Sequence, residues 1–300
     1  MKIKIKQYNR DRDYERVWQF LIEIFQPGSE LINWLPPRWE YMHHHPFVWE
    51  LDLTQIGLFE EKGRIVAIVH PESNPGICHF QIRPGYEHLK PRIFDYLEKT
   101  FQGLSKSTGR LIRGLLISEL DSDMQEIAIQ RGYERWENFG EASSIFFLDK
   151  EIPAVPLPEG FRIQTLADEN DLHKMNRVLW RGFNHEGSPP DNEIPGRVLM
   201  QASKNFRKDH TCVVVDPNGN YVAYSGIYYV NQHRLAMVEP VATDPDYRRM
   251  NFGRAVVYEC LRKVQAEGAK IAWVGSDLEF YKSIGFETKS TEYPWIKFLD

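Results

Sequence analysis

The stretch Glu239–Val257, EPVATDPDYRRMNFGRAVV, decides how this chain is read. Leu235–Thr243 alternates and is rich in β-favouring residues, so it reads as a strand. Asp244-Pro245-Asp246 ends it. From Phe252 the apolar side chains recur as Phe252, Val256, Cys260 and Val264, the spacing of a helix that lays one face on a sheet. Between strand and helix stands Arg248-Arg249-Met250-Asn251-Phe252-Gly253-Arg254-Ala255. Two cations there precede a helix start. The first amides of a helix have no intrahelical acceptor and lie at the positive end of its dipole, a setting suited to phosphate. Gly253 has no Cβ, so an anion can come close to the backbone. An ordinary solvated strand–helix turn has the same outline, and the surroundings have to decide.

Downstream, Ile271–Gly275 reads as a strand, Leu278–Ile284 as a short helix and Glu292–Phe298 as a last strand. Upstream, Thr211–Val215 and Tyr221–Val230 flank Pro217-Asn218-Gly219, a hairpin with an Asn-Gly turn. Before them come a strand, Phe161–Leu166, and two helices, Glu169–Phe183 and Ile194–Phe206. The Pro-rich Glu151–Gly160 reads as an extended linker.

The same order of elements precedes that linker. Strands are expected at Lys2–Gln7, Gln55–Glu60, Arg64–His70, Gly76–Ile82, Leu111–Ser118 and Ala142–Leu148. Helices are expected at Asp11–Phe25, Pro36–His45, Leu89–Phe101 and Ser122–Arg131. Ile5, Asp11, Asp13, Val17, Leu21 and Phe25 recur 158 positions later as Ile163, Glu169, Asp171, Met175, Leu179 and Phe183. Gly132-Tyr133-Glu134 recurs as Gly285-Phe286-Glu287. Gly63 with Val66-Ala67, at the first-half hairpin, recurs as Gly219 with Val222-Ala223, so stripes, hairpin and terminal Gly-aromatic-Glu agree in order, which points to a duplication.

The segment Arg248–Ala255 resembles the acyl-CoA-binding motif of the GNAT superfamily of N-acyltransferases, Arg/Gln-x-x-Gly-x-Gly/Ala, with Asn251 in place of the first glycine. Asparagine is the next most tolerant residue of a left-handed backbone, so the loop shape should persist. Phe280-Tyr281-Lys282-Ser283-Ile284-Gly285-Phe286 resembles the family's tyrosine-bearing short helix followed by a Gly-aromatic pair. The resemblance implies an α+β fold of two tandem GNAT-like domains, each a mixed, mainly antiparallel sheet flanked by helices. The expected division is residues 1–150, a linker 151–160, and a catalytic domain 161–300.

It implies further that Val241, Ala242 and Thr243 offer backbone partners to the pantetheine arm of acetyl-CoA. Arg248, Arg249, Asn251, Phe252, Gly253 and Arg254 would hold the pyrophosphate, and Tyr281 would protonate the leaving thiolate. A phenol of pKa ~10 is protonated at neutral pH and suits that task. Attack is direct, in a ternary complex, so no nucleophilic cysteine and no metal is expected. The family often carries a glutamate on the strand before the loop, and Glu239 stands there. Its expected role is general base, with binding of a cationic acceptor or a structural salt bridge as the other readings. His185 and His233 are weaker candidates.

The first half matches only in order. Arg83-Pro84-Gly85-Tyr86-Glu87-His88-Leu89-Lys90-Pro91 stands at the place of the phosphate loop, and its prolines remove backbone donors. Ala128 stands at the place of Tyr281. That half is expected to be catalytically silent.

The acceptor is expected to be a small-molecule amine. The loop Asn184–Pro195, with Glu186, Asp191 and Glu193, hints at a cationic one, although a solvated acidic loop reads the same. The 37 Lys and Arg against 42 Asp and Glu give a net charge of −5, which argues against a nucleic-acid-binding surface. No run has the apolar length of a membrane helix, and the opening MKIKIKQYNRDRDYERVW has no apolar core of a signal peptide. Cys78, Cys212 and Cys260 lack metal-ligand spacing and read as reduced core residues of a cytoplasmic protein. His43-His44-His45 reads as a helix end rather than a metal cluster. Two rivals remain: a non-catalytic acyl-CoA-binding sensor or interaction module, and an aminoacyl-tRNA-dependent transferase.

Overall fold

The computed structural model describes residues 3–105 and 107–299. In chain order the first half runs β1 (Lys4–Gln7), α1 (Arg10–Ile24), α2 (Pro36–His44), β2 (Gly57–Glu61), β3 (Arg64–Pro71), β4 (Ile77–Ile82), α3 (Lys90–Thr100), β5 (Gly103–Leu104), β6 (Leu111–Ser118), α4 (Ser122–Gln130), β7 (Glu134–Arg135) and β8 (Glu141–Phe147). The second half runs β9 (Arg162–Thr165), α5 (Leu172–Gly182), α6 (Ile194–Gln201), β10 (Cys212–Val215), β11 (Tyr221–Val230), β12 (Leu235–Thr243), α7 (Phe252–Ala266), β13 (Ile271–Val274), α8 (Glu279–Ser283) and β14 (Glu287–Phe298). The strand read from Lys2 begins at Lys4, and Lys2 itself lies outside the described residues.

α1, α4 and α5 start where a side chain satisfies their first amides. Asn9 accepts from the Arg12 amide while Asp13 accepts from the Asn9 amide, a reciprocal cap on α1. Asp171 accepts from the amides of His173 and Lys174 at the start of α5. Val17, Phe20, Leu21 and Ile24 form the buried face of α1. Met175, Val178 and Leu179 do the same for α5.

The strands join in one sheet, β1-β2-β3-β4-β6-β14-β8-β13-β12-β11-β10-β9. The order is symmetric about its middle, as a duplication predicts, but the halves have traded their last strands. β14, from the second half, pairs antiparallel with β6 through Glu292–Phe298. β8, from the first half, pairs antiparallel with β13, Ile271 opposite Phe147. β14 and β8 then pair with each other at the centre, Glu292 opposite Glu141. The strand read as Glu292–Phe298 begins earlier, at Glu287, because its polar opening ETKST is held by pairing with β8 rather than by an apolar stripe.

The cores follow the exchange. Trp295 on β14 packs with Phe94, Leu97 and Leu115 of the first half. Leu148, just after β8, packs with Val256, Leu261 and Phe286 of the second. We expect Trp295→Ala to cost ~3–5 kcal/mol, the usual range for deleting a buried aromatic. Urea unfolding should show one transition at a lowered midpoint. Two separated transitions would mean that the halves unfold independently despite the shared strands.

A cleft between the two arms of the second half

β12 is the strand that positions the candidate site. Its first part, Leu235–Met237, pairs in parallel with β13. Its last part, Val241–Thr243, pairs with Ala223–Ser225 of β11 and has no strand on its other side among the described residues. The two segments are separated by a bulge in which Glu239 and Pro240 face only Gly226. Gly226 has to be glycine, because a Cβ there would lie 2.5 Å from the Glu239 carbonyl oxygen. The sheet therefore splays beyond Met237, leaving an open backbone edge able to accept an extended ligand as an added strand.

At the end of that edge the chain turns into α7. Arg249 and Asn251 both take left-handed conformations, with φ of 65° and 61°. Asn251 thus keeps the shape expected of the glycine it replaces, and it precedes the first residue of α7. The residues expected at the cofactor converge here. Val241, Ala242 and Thr243 from β12, the loop Arg248, Arg249 and Asn251, and the helix start Phe252, Gly253 and Arg254 line one cavity of about 380 Å³. Tyr281 from α8 lines it too.

The three arginines are not equivalent. Arg248 donates to the Gly182 carbonyl at 3.0 Å and to Asn184 Oδ1 at 2.7 Å, so it fastens the loop to the end of α5. Arg254 donates to the Ser283 carbonyl at 3.1 Å, fastening α7 to α8. Arg249 is exposed and has no ion pair among the described residues. It is the side chain most available to a phosphate, a distinction the sequence alone does not draw.

Tyr281 is buried, and its phenol is shifted upward first by that burial and then by the charge of Glu239. Glu239 does not line the 380 Å³ cavity. It lines two neighbouring cavities, one of about 180 Å³ and one of about 820 Å³. Its carboxyl is pushed up to about 7, chiefly by burial and then by Glu72; the Arg38 charge and a hydrogen bond with Tyr41 act in the opposite sense. Its surface exposure is intermediate, because what open space it meets is cavity rather than bulk water.

Arg38, Tyr41 and Glu72 all come from the first half. Arg38 is held by Glu72 and by Glu141. Glu292, on the exchanged strand β14, lines the same 180 Å³ cavity and is pushed up to about 8, chiefly by burial. Sequence reasoning did not find Arg38, Tyr41 or Glu72. They are 167 to 201 positions from Glu239, and no local pattern marks them.

The other candidates lie elsewhere or are already engaged. His233 Nε2 donates to the Ile22 carbonyl oxygen at 3.1 Å and its ring stacks on Phe25, away from both cavities. His185 lines the 820 Å³ cavity and stacks on Trp180. Cys260 contacts the carbonyl oxygens of His210 and Ser225 in the core, and all three cysteines are buried and free. His43 is buried, with Nε2 3.0 Å from the Tyr8 hydroxyl. Asp209, His210 and Glu267 cluster closely enough for a metal, but Arg207 already bridges Asp209 and Glu267.

The matching place in the first half is a cavity of about 280 Å³ with an acidic lining. Lys90, at the start of α3, is bound to Asp121 at 2.5 Å, and Asp123 stands 3.5 Å from the same ammonium. Glu87 caps the Gly85 amide. Carboxylates and proline thus occupy the place where the second half offers free amides and an arginine.

Against known proteins, residues 172–286 match the model of the Acetyltransferase (GNAT) family. That stretch of the second half is similar to the GNAT acetyltransferases. An uncharacterised N-acetyltransferase of Methanocaldococcus jannaschii is 27% identical over 97 residues, 29% of this chain and 43% of that one. The match therefore spans less than half the length of that curated relative. Over the whole chain, a GCN5-related N-acetyltransferase from Sphaerobacter thermophilus superposes with a TM-score of 0.61 at 15% identity, covering 99% of this chain and 95% of that one. A tandem GNAT protein from the clavulanic acid biosynthesis pathway superposes with a TM-score of 0.64 at 13% identity, covering 99% and 98%. At these identities the likeness shows the fold: the whole chain has the tandem GNAT architecture.

Proposed function

We propose that the chain is an acetyl-CoA-dependent N-acetyltransferase acting on a primary amine of a small molecule. Residues 161–300 carry the chemistry, 151–160 link, and 1–150 form a degenerate GNAT-like domain that binds no cofactor. The observation that carries this reading is the convergence of an open strand edge, a left-handed loop with a free arginine and a buried tyrosine on one cavity.

In this reading the open edge Val241–Thr243 takes the pantetheine arm. The first amides of α7, together with Arg249, take the pyrophosphate. Glu239 accepts the proton from the attacking amine, directly or through water. Tyr281 donates a proton to the thiolate as the C–S bond breaks, and its raised pKa keeps it protonated at working pH. No residue forms a covalent intermediate.

The first test is calorimetric titration with acetyl-CoA, followed by thiol release against a panel of amines. One site per chain with turnover is the expected result. Two sites would restore the first half as a cofactor domain. Binding without turnover on any amine would favour the sensor reading. Tyr281→Phe should lower kcat by ~10- to 100-fold, at the lower end of general acid effects, while the acetyl-CoA affinity stays unchanged. Unchanged kcat would remove Tyr281 from the mechanism.

A further inference from the structure

The repeat places equivalent arginines in unequal surroundings. Arg38 follows Pro36 and Pro37 in α2; Arg197 follows Pro195 and Gly196 in α6, the helix at the same place in the second half. Arg38 is fully clamped. Its Nε lies 2.7 Å from Glu72 Oε1, and its Nη2 lies 2.5 Å from Glu72 Oε2 and 2.8 Å from Glu141 Oε2. Its guanidinium also covers the Trp34 ring.

Arg197 has no such clamp. Nε donates to Asn176 Oδ1 at 2.8 Å, and Nη1 reaches Met200 Sδ at 3.4 Å. The carboxylate nearest Nη2, Glu193 Oε2, is 3.7 Å away, beyond hydrogen-bond distance. That oxygen is itself buried without a hydrogen-bond partner. Burial weakens the hold of the guanidinium on its proton. A guanidinium taken out of water is costly unless a planar anion meets its fork, and Glu193 reaches it only at ion-pair distance.

Arg197 lines the 820 Å³ cavity, and Glu239 stands on the wall of the same cavity. Tyr41 lines it as well and feels the charges of both. Arg38, the cation that acts on Glu239, lines the neighbouring 180 Å³ cavity instead. Leu179 and Met200 supply apolar wall. Trp49 from the first half and Phe183 from the second line it too, and are 62% and 52% exposed.

We infer that this cavity takes an acceptor bearing a carboxylate as well as its amine, the carboxylate on Arg197 and the amine at Glu239, with an apolar body between them. The inference deepens the acetyltransferase proposal and rests on it for the role of Glu239. The apolar wall of Leu179 and Met200 favours an acceptor with a hydrocarbon chain between its two ends. The first half shapes the site through Tyr41 and Trp49. Glu193 is a competitor for Arg197, displaced when the carboxylate arrives.

The test uses the whole chain and two probes matched in length, 6-aminohexanoate and hexylamine. Both are titrated calorimetrically without acetyl-CoA, and then compared in the thiol-release assay. 6-Aminohexanoate should bind at least ~10-fold more tightly, the scale of one charge-assisted pair. Arg197→Met should bring the two to parity through KM, and Arg197→Lys should recover part of the difference. Glu193→Gln should tighten 6-aminohexanoate, because it removes the competing carboxylate; a purely structural ion pair would show no gain. Equal binding of the two probes by the unmodified protein, or no binding of either at millimolar concentration, would overturn the inference. If Arg197→Met fails to fold, as its thermal midpoint would reveal, Glu193→Gln decides. Acetyl-CoA is titrated separately. Its failure to bind would refute the transferase proposal, whereas the probe comparison judges the carboxylate site by itself.

Discussion

Gly253→Asp is expected to abolish acetyl-CoA binding, lowering affinity by about 100-fold or more, the scale of an unpaired charge forced against an anion. Two effects add. A Cβ at 253 would lie 3.1 Å from both the Phe280 ring and Thr243 Oγ1, so the wall of the cavity must shift even before charge is considered. The carboxylate then stands at the first turn of α7, where the proposed site needs positive potential. Gly253→Ala separates the two, because it keeps the steric contact without the charge. We expect a modest loss from alanine and a near-complete loss from aspartate, read by calorimetry. A melting curve should show both variants folded. Aspartate with unchanged affinity would refute the proposed cofactor site.

Glu239→Gln is expected to lower kcat by ~100- to 10,000-fold, the range associated with a general acid or base. The sign of the pH effect follows from the environment. Burial, aided by Glu72, disfavours the carboxylate and raises its pKa to about 7. A base works only when deprotonated, so the rate of the unmodified enzyme should fall as pH drops below about 7. It should be flat above that until another group titrates. Glutamine should erase the inflection as well as the rate. A variant that keeps kcat but raises KM would instead assign Glu239 to acceptor binding, the other reading of a carboxylate at this place. A variant that keeps both would turn attention to His185, on the same cavity wall.

Local structure was largely legible in the sequence, because it is decided by neighbours along the chain. The bounds of Leu235–Thr243, Tyr221–Val230 and Leu111–Ser118 follow from alternation closed off by turn residues. The left-handed Asn251 follows from the chemistry of its side chain. What periodicity does not encode is the pairing partner. Ala142–Leu148 and Glu292–Phe298 look alike as terminal strands, and nothing in their alternation says that each completes the other half's sheet. The same blindness hid Arg38, Tyr41 and Glu72, whose relation to Glu239 exists only after the halves have packed. The part of the Glu239 shift that comes from Glu72, Arg38 and Tyr41 likewise exists only in the packed halves.

The traded strands also bear on how the protein is made. Synthesis runs from residue 1 onward, and β6 is complete at Ser118 while its partner stretch, Glu292–Phe298, comes far later. At ~5–20 residues per second that is a delay of roughly 9–36 s. During that time one flank of β6 lacks its native partner, and an unpaired strand edge invites association with other chains. We therefore hypothesise that the nascent first half depends on chaperone cover or on a temporary non-native pairing, with β8 the nearest candidate to lie beside β6. Protease digestion of ribosome-held chains stopped at residue 286 would test this: a first half already as resistant as in the finished protein would rule it out. Duplication in this chain has thus tied a strand made early, β6, to one made much later, β14, so that neither copy reaches its final form ahead of the other.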